Sequence, residues 1–266
     1  MKDFVFKKKY GQNFISDTNL LRAIANDAGI DEKSEVLEIG AGAGSLTEVL
    51  SEMAKKVVSF EIDKDLEEKL LGLGLKNVEF VFDDFMNFSM PEIEKMFDGK
   101  FKVVANLPYY ITTPIIFKLL EDGQKVESLT IMVQKEVAEK FCSTVGDGDY
   151  GIPTVMTQFY GGARITRIVK RQMFYPVPNV DSAVLHIDID REKFPNVDRK
   201  KFSKFVKVCF SMRRKTLLNN LGTTFDKQKL KQILDEKTLA RRAESFSISE
   251  FIEIFEKCQT LAQSQN

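Results

Sequence analysis

Short apolar, β-branched runs alternate with helical patterns through the first two thirds of this 266-residue chain, and no other feature restricts its fold as much. Strand-like runs at 36–39, 57–60, 78–82, 101–105 and 129–133 are separated by helical stretches at 46–53 and 65–71. A third helix opens at Thr113-Pro114, a threonine cap before a proline at the first helical position. Strands that alternate with helices are joined by crossovers, so the sheet they form is parallel and covered on both faces. The fold class is therefore α/β. Two later β-rich runs, 164–169 and 183–189, flank a turn containing Pro176 and Pro178 and predict an antiparallel hairpin at the sheet edge. Beyond residue 190 the spacing becomes helical, as in Phe202, Phe205, Val206 and Cys209 or Phe251, Ile252 and Phe255. The prediction is a sheet domain over 1–190 and a small all-α domain over 191–266, with a linker at 191–197 that includes Pro195.

The first strand runs into Glu38-Ile39-Gly40-Ala41-Gly42-Ala43-Gly44. Glycines in a strand-to-helix turn let the backbone approach a ligand and adopt torsions that a Cβ forbids. A nicotinamide dinucleotide fold is the rival reading, but its fingerprint is G-x-G-x-x-G, and here the third glycine comes one residue early with a glutamate two residues upstream of the first. The second strand ends at Glu61, suited to accept both hydroxyls of a ribose, and the third at Asp83-Asp84, suited to the exocyclic amine of an adenine. Carboxylates at successive strand ends repel a pyrophosphate and tolerate a sulfonium, so the expected cofactor is S-adenosyl-L-methionine.

The fourth strand ends in Asn106-Leu107-Pro108-Tyr109. The Asn106 amide oxygen and the carbonyl of Leu107 or Pro108 can accept the two hydrogens of a planar exocyclic amine while Tyr109 stacks on the base. Such a grip makes the amine nitrogen more pyramidal and aims its lone pair at a methyl donor, which is catalysis by positioning and electrostatics. The alternative is a strand that simply ends in a proline turn.

The 39 basic and 39 acidic residues cancel, but they are segregated. Residues 31–98 hold 17 acids against 7 bases, whereas 199–215 holds Arg199, Lys200, Lys201, Lys204, Lys207, Arg213, Arg214 and Lys215 with no acid. Further bases stand at Lys7 to Lys9 and, without acids, at Arg164, Arg167, Lys170 and Arg171. Local fields matter more to phosphates than net charge does, so a polyanion partner is expected. One histidine and three scattered cysteines show no metal-ligand spacing, so neither a metal site nor a disulfide framework is expected. No apolar run approaches the ~18 to 20 residues of a membrane span, and the first residues lack a signal-peptide pattern. The expectation is a soluble, cytoplasmic monomer without a membrane partner.

Five segments together carry a resemblance that runs nearly end to end: Tyr10-Gly-Gln-Asn-Phe-Ile15, the glycine turn, Asn106-Leu-Pro-Tyr-Tyr-Ile-Thr-Thr-Pro-Ile115, Phe174-Tyr-Pro-Val-Pro-Asn-Val-Asp-Ser182 and Phe210-Ser-Met-Arg-Arg-Lys-Thr-Leu217. The chain resembles the KsgA-type small-subunit ribosomal RNA adenine dimethyltransferases. The glycine turn and the Asn106 segment are shared with the sister family that methylates large-subunit rRNA and confers macrolide resistance. The resemblance implies a Rossmann-like class I methyltransferase sheet with a small C-terminal all-α domain. It implies that Asn13, Ile15, Gly40, Gly42, Glu61, Asp84 and Asn106 contact S-adenosyl-L-methionine, and that Asn106, Leu107, Pro108, Tyr109 and Phe174 hold the target adenine. It also implies that Arg213, Arg214 and Lys215 grip rRNA within a pre-30S particle. The activity implied is dimethylation of the N6 amines of two adjacent adenosines near the 3′ end of small-subunit rRNA. Phe85 follows Asp84 where the family has a small residue, which implies a narrowed adenine pocket. A ribosome-assembly factor acting mainly by binding, a large-subunit rRNA adenine methyltransferase of the macrolide-resistance type and a DNA adenine methyltransferase are the other readings; the last does not account for the basic helical domain.

Overall fold

The computed structural model describes residues 14–263. In chain order its elements are β1 (Phe14–Ile15), α1 (Thr18–Asp27), β2 (Glu35–Ile39), α2 (Ser45–Met53), β3 (Lys56–Phe60), α3 (Glu67–Leu71), β4 (Val78–Val81), α4 (Met90–Glu94), β5 (Phe101–Asn106), α5 (Thr112–Asp122) and β6 (Val126–Gln134). They continue as α6 (Lys135–Cys142), α7 (Ile152–Tyr160), β7 (Gly161–Val169), β8 (Phe174–Tyr175), β9 (Ser182–Ile189), α8 (Arg199–Cys209), α9 (Leu217–Leu221), α10 (Lys227–Ile233), α11 (Glu236–Ala240) and α12 (Ile248–Gln263).

Two compact units result. Among the described residues, the first comprises 14–138 and Ala163–Ile189, and the second Glu139–Gly162 and 190–263. This grouping differs from a single cut at residue 190, because Glu139–Gly162 joins the helical unit. The reason is aromatic packing: Phe159 on α7 stacks on Phe202 of α8 at 4.4 Å between centroids and on Phe194 at 5.6 Å.

The seven-stranded sheet has the order β4-β3-β2-β5-β6-β9-β7. Its first five strands are parallel and β9 runs antiparallel to β6. All five residues of β2 are buried, as a strand covered on both faces requires. Register aligns Ile39 with both Phe60 and Ala105, and Phe60 with Val81, so β2, β3 and β5 finish level along one edge. The chain leaves β2 for β3 on one side and reaches β5 on the other. This reversal of strand order opens a crevice beyond the carboxyl ends of β2 and β5.

The two late strands are neighbours at the sheet edge, but their connection is more than a turn. It contains β8, which pairs antiparallel with β1 in a separate two-stranded ribbon. Helix α5 begins at Thr112 with Ile111 as its cap, two residues before the predicted Thr113 cap and Pro114 start. The Pro108 carbonyl accepts both Ile111 N and Thr112 Oγ1, so the turn after β5 winds directly into the helix. Pro114 then sits in the first turn, where its missing N–H has no intrahelical role.

In the second unit, Asp198 caps α8 by accepting Lys201 N at 3.0 Å. Phe202, Phe205, Val206 and Cys209 face its core, in which Phe255 meets Phe202 edge-on. Lys200, Lys204 and Lys207 lie on the exposed side of the same helix.

Candidate active site

The strand-end crevice is a cleft of about 750 Å³, its open mouth included, within the size range of small-molecule sites. Gly40 to Ala43, Ser45 and Leu46 form one wall, Phe14, Ile15 and Leu21 another, Glu61 and Ile62 a third, and Asn106 to Tyr109 the fourth. Thus the glycine turn, the β3 acid and the Asn106 quartet, far apart in sequence, meet because their strands end level.

Gly40 N and Ala41 N donate to the Phe60 carbonyl at 2.8 and 3.1 Å, folding the turn back over the end of β3. Gly42 has φ +57°, and a Cβ there would stand 2.9 Å from Phe14 Cε1. A side chain would therefore meet both a backbone penalty and the ring that lines the cleft. Gly42 N donates to Glu61 Oε2 at 2.7 Å and Asp63 N to Oε1 at 2.8 Å. Burial raises the Glu61 pKa above its ordinary value, opposed by these backbone hydrogen bonds and reinforced by the Asp63 charge. An ionised carboxylate offers about four acceptor sites, so each Glu61 oxygen retains capacity for a ligand hydroxyl.

Among the described residues that line the cleft, Glu61 is the single charged one. An acid with no cation beside it among the described lining residues disfavours a pyrophosphate and suits a ribose diol near a sulfonium. The residues present thus fit S-adenosylmethionine: a close backbone cradle at Gly40–Gly42, a buried carboxylate, and apolar walls from Phe14, Leu21, Leu46 and Ile62.

Beneath the glycine turn, Glu38 is fully buried. Its Oε2 accepts Thr47 Oγ1 from α2 at 2.7 Å and Ser59 Oγ from β3 at 2.5 Å, while Oε1 has no hydrogen-bond partner. Burial lifts its pKa to about 7, against the two hydroxyl bonds and with a further contribution from the Glu61 charge. Glu38 ties together the three elements that frame the turn. Its place in the glycine motif was visible in the sequence; its burial was not. Phe14 was likewise missed as a wall of the site, although its position between Asn13 and Ile15 was the available signal.

The quartet is held firmly. Leu107 is buried, and Tyr109, half-buried, shares a 2.9 Å hydrogen bond between its hydroxyl and Ser182 Oγ. Burial raises the Tyr109 pKa, opposed by that bond. Because the Pro108 carbonyl is already engaged by Ile111 and Thr112, Leu107 is the better backbone acceptor for a ligand amine.

Several predicted residues stand elsewhere. Asn13 and the Lys7 to Lys9 run lie outside the described residues. Asp84 does not line the cleft; its Oδ1 accepts Met86 N at 2.8 Å and caps the short 3-10 turn Phe85–Asn87. Asp83 accepts Asp84 N and Asn87 Nδ2, which lowers its pKa. Phe85 does not narrow the cleft: it is buried edge-on against Phe60, with centroids 5.5 Å apart. Phe174, expected to stack on an adenine, is 3 % exposed and belongs to the apolar core with Ile15 and Val184. Its β-ribbon register with Ile15 turns it inward.

In the helical unit, Arg213, Arg214 and Lys215 are exposed on the loop after α8. Buried Asn220 shapes that loop by accepting Ser211 Oγ and Met212 N at Oδ1 and donating to the Met212 carbonyl. Arg213 also donates to the Gly148 carbonyl, so Arg214 and Lys215 reach further into solvent.

A family profile described as ribosomal RNA adenine dimethylase matches residues 3–260. The chain is 44% identical over 255 residues to the ribosomal RNA small subunit methyltransferase A of Caldanaerobacter subterraneus, covering 92% of this chain and 94% of that protein. It is 40% identical over 258 residues to the same-named protein of Clostridioides difficile, covering 94% and 89%. Among solved structures, a dimethyladenosine transferase from Plasmodium falciparum superposes with a TM-score of 0.79 at 26% identity, over 93% of this chain and 98% of that one. The 23S rRNA methyltransferase ErmE superposes at 0.69 and 28% identity, over 92% and 99%.

Proposed function

This chain belongs to the ribosomal RNA adenine dimethylase family, and we infer that it is the S-adenosylmethionine-dependent enzyme that dimethylates N6 of two adjacent adenosines near the 3′ end of small-subunit rRNA. The observation that carries this reading is the convergence of Gly40, Gly42, Glu61 and the Asn106–Tyr109 quartet on one cleft. Relatives at 40 to 44% identity bear a small-subunit name, which favours that substrate over the large subunit.

The bound cofactor supplies an electrophilic methyl on a sulfonium. Gly40 and Gly42 admit it against bare backbone, Glu61 accepts its ribose hydroxyls, Ile15 and Phe14 close over it, and Asn13 completes its contacts. Asn106 Oδ1 and the Leu107 carbonyl accept the two hydrogens of the target amine, turning the nitrogen lone pair toward the methyl. Tyr109 stacks on an adenine taken out of its helix, a contact of ~1 to 3 kcal/mol against a few for unstacking. The first methyl removes one of those hydrogens, so the second transfer relies more on stacking and shape. Arg213, Arg214 and Lys215 hold rRNA phosphates, and binding weakens as salt rises because each neutralised phosphate releases counterions. The protein works as a monomer in the cytoplasm on a pre-30S particle, with residues 191–266 as the rRNA-binding part.

The test is labelled S-adenosylmethionine with small subunits that lack adenine dimethylation, followed by nuclease mapping, with Asn106→Ala as control. Label recovered as dimethyladenine at adjacent sites, and lost in the variant, is the expected result. Tight subunit binding without transfer would instead make the protein an assembly factor.

A further inference from the structure

Phe174 and Tyr175 are consecutive residues of β8, and the ribbon separates them. Ile15 pairs with Phe174 and both enter the core; Phe14 pairs with Tyr175. Cross-strand partners share a face, so Tyr175 lies on the face opposite the core, beside Phe14, with their Cβ atoms about 5 Å apart. Phe14 is a wall of the cofactor cleft. Tyr175 is 59 % exposed and therefore presents an aromatic ring next to that cleft.

We propose that Tyr175 stacks on an unpaired base of the substrate RNA at the cleft mouth. This rests on the reading of the protein as an rRNA methyltransferase. Three observations support it. Exposed apolar groups concentrate in the same segment, with Met173, Val177 and Val180 all exposed, whereas isolated exposed side chains are the ordinary case. The segment is rigidly tied: the Asp181 carboxylate accepts Arg171 N and Lys170 Nζ at 3.0 and 2.9 Å, and its carbonyl accepts Lys135 N at 3.1 Å. Arg171, exposed in the same segment, adds a positive charge that a phosphate adjoining the stacked base could meet, whereas the Lys170 charge is paired with Asp181. An exposed aromatic face in a segment that also carries a cation is the arrangement that holds single-stranded nucleic acid.

The test uses Tyr175→Ala, Tyr175→Phe and Tyr175→Trp in the full chain, with the unmethylated rRNA hairpin as probe. Tyr175→Ala should raise the RNA KM on the order of tenfold, with kcat at saturating RNA and cofactor affinity retained; Tyr175→Phe should restore the wild-type KM. The chain has no tryptophan, so the indole of Tyr175→Trp is a lone fluorophore, and the hairpin should quench it while heparin, a polyanion without bases, should not. An RNA KM within twofold of wild type in Tyr175→Ala, or an indole that RNA at saturation leaves unquenched, would overturn the proposal. Quenching is read without methyl transfer, so failure of the wild type to transfer label would count against the enzyme reading separately.

Discussion

The cofactor cleft and the basic loop of the helical unit both depend on polar groups, yet they are built on opposite physical terms. In and beneath the cleft, polar groups are buried and bonded to one another: Glu38 to Thr47 and Ser59, Glu61 to Gly42 and Asp63, Tyr109 to Ser182. On the loop, Arg214 and Lys215 project from a backbone fixed by one buried residue, Asn220. Buried groups act through geometry, so a single lost atom has a large effect that salt does not screen. Exposed charges act through number, so each contributes little and salt weakens all of them.

The largest expected effect is at the quartet. Asn106→Ala should lower kcat by roughly 10² to 10³, the usual result of removing one preorganised polar group from a reacting centre. Single-turnover transfer measures this, and a loss below tenfold would mean that the amide does not hold the amine.

Glu38 follows. Its folded pKa of about 7 lies above the ordinary 4.5, so between those values the folded protein binds more protons than the unfolded chain. The contribution of this group to stability therefore falls as pH rises through that window, by roughly 3 kcal/mol in all. Glu38→Gln, which cannot ionise, should be less stable than wild type at pH 5 and lose that disadvantage progressively toward pH 8. Parallel urea titrations at the two pH values, with an unchanging gap, would contradict the buried-acid description.

Gly42→Ala tests the cradle. A positive φ costs about 1 kcal/mol for a residue with a Cβ, and Phe14 must also move. The cofactor KM should rise several-fold, while affinity for RNA stays near that of wild type. Equal losses in both would blur the separation between the two regions.

The smallest effect per residue belongs to the loop. Alanine at Arg213, Arg214 and Lys215 together should reduce the slope of log affinity against log salt by up to about 2 to 3, with cofactor affinity unchanged. Arg213 should contribute least, since Gly148 already holds its guanidinium. Filter binding across a salt series of the single variants ranks them, and a salt-independent affinity would remove this loop from the RNA interface.

The sequence by itself determined the alternating α/β core, the glycine turn and the acid and amide at their strand ends. These signals are local: a buried parallel strand needs a continuous apolar run, and a tight backbone approach needs glycine. The onset of helical spacing near residue 190 was legible for the same reason. Only the tertiary structure decided what depends on who lies across from whom. It took Glu139–Gly162 into the helical unit because Phe159 stacks on Phe202. It fixed Asp84 as a cap outside the cleft lining. It buried Glu38 against Thr47 and Ser59, and it sent Phe174 to the core and Tyr175 to the surface through a ribbon of two residues per strand. A strand that short has no periodicity to read. Which of its faces is buried is set by its partner's register, a long-range contact that carries no local trace in the chain.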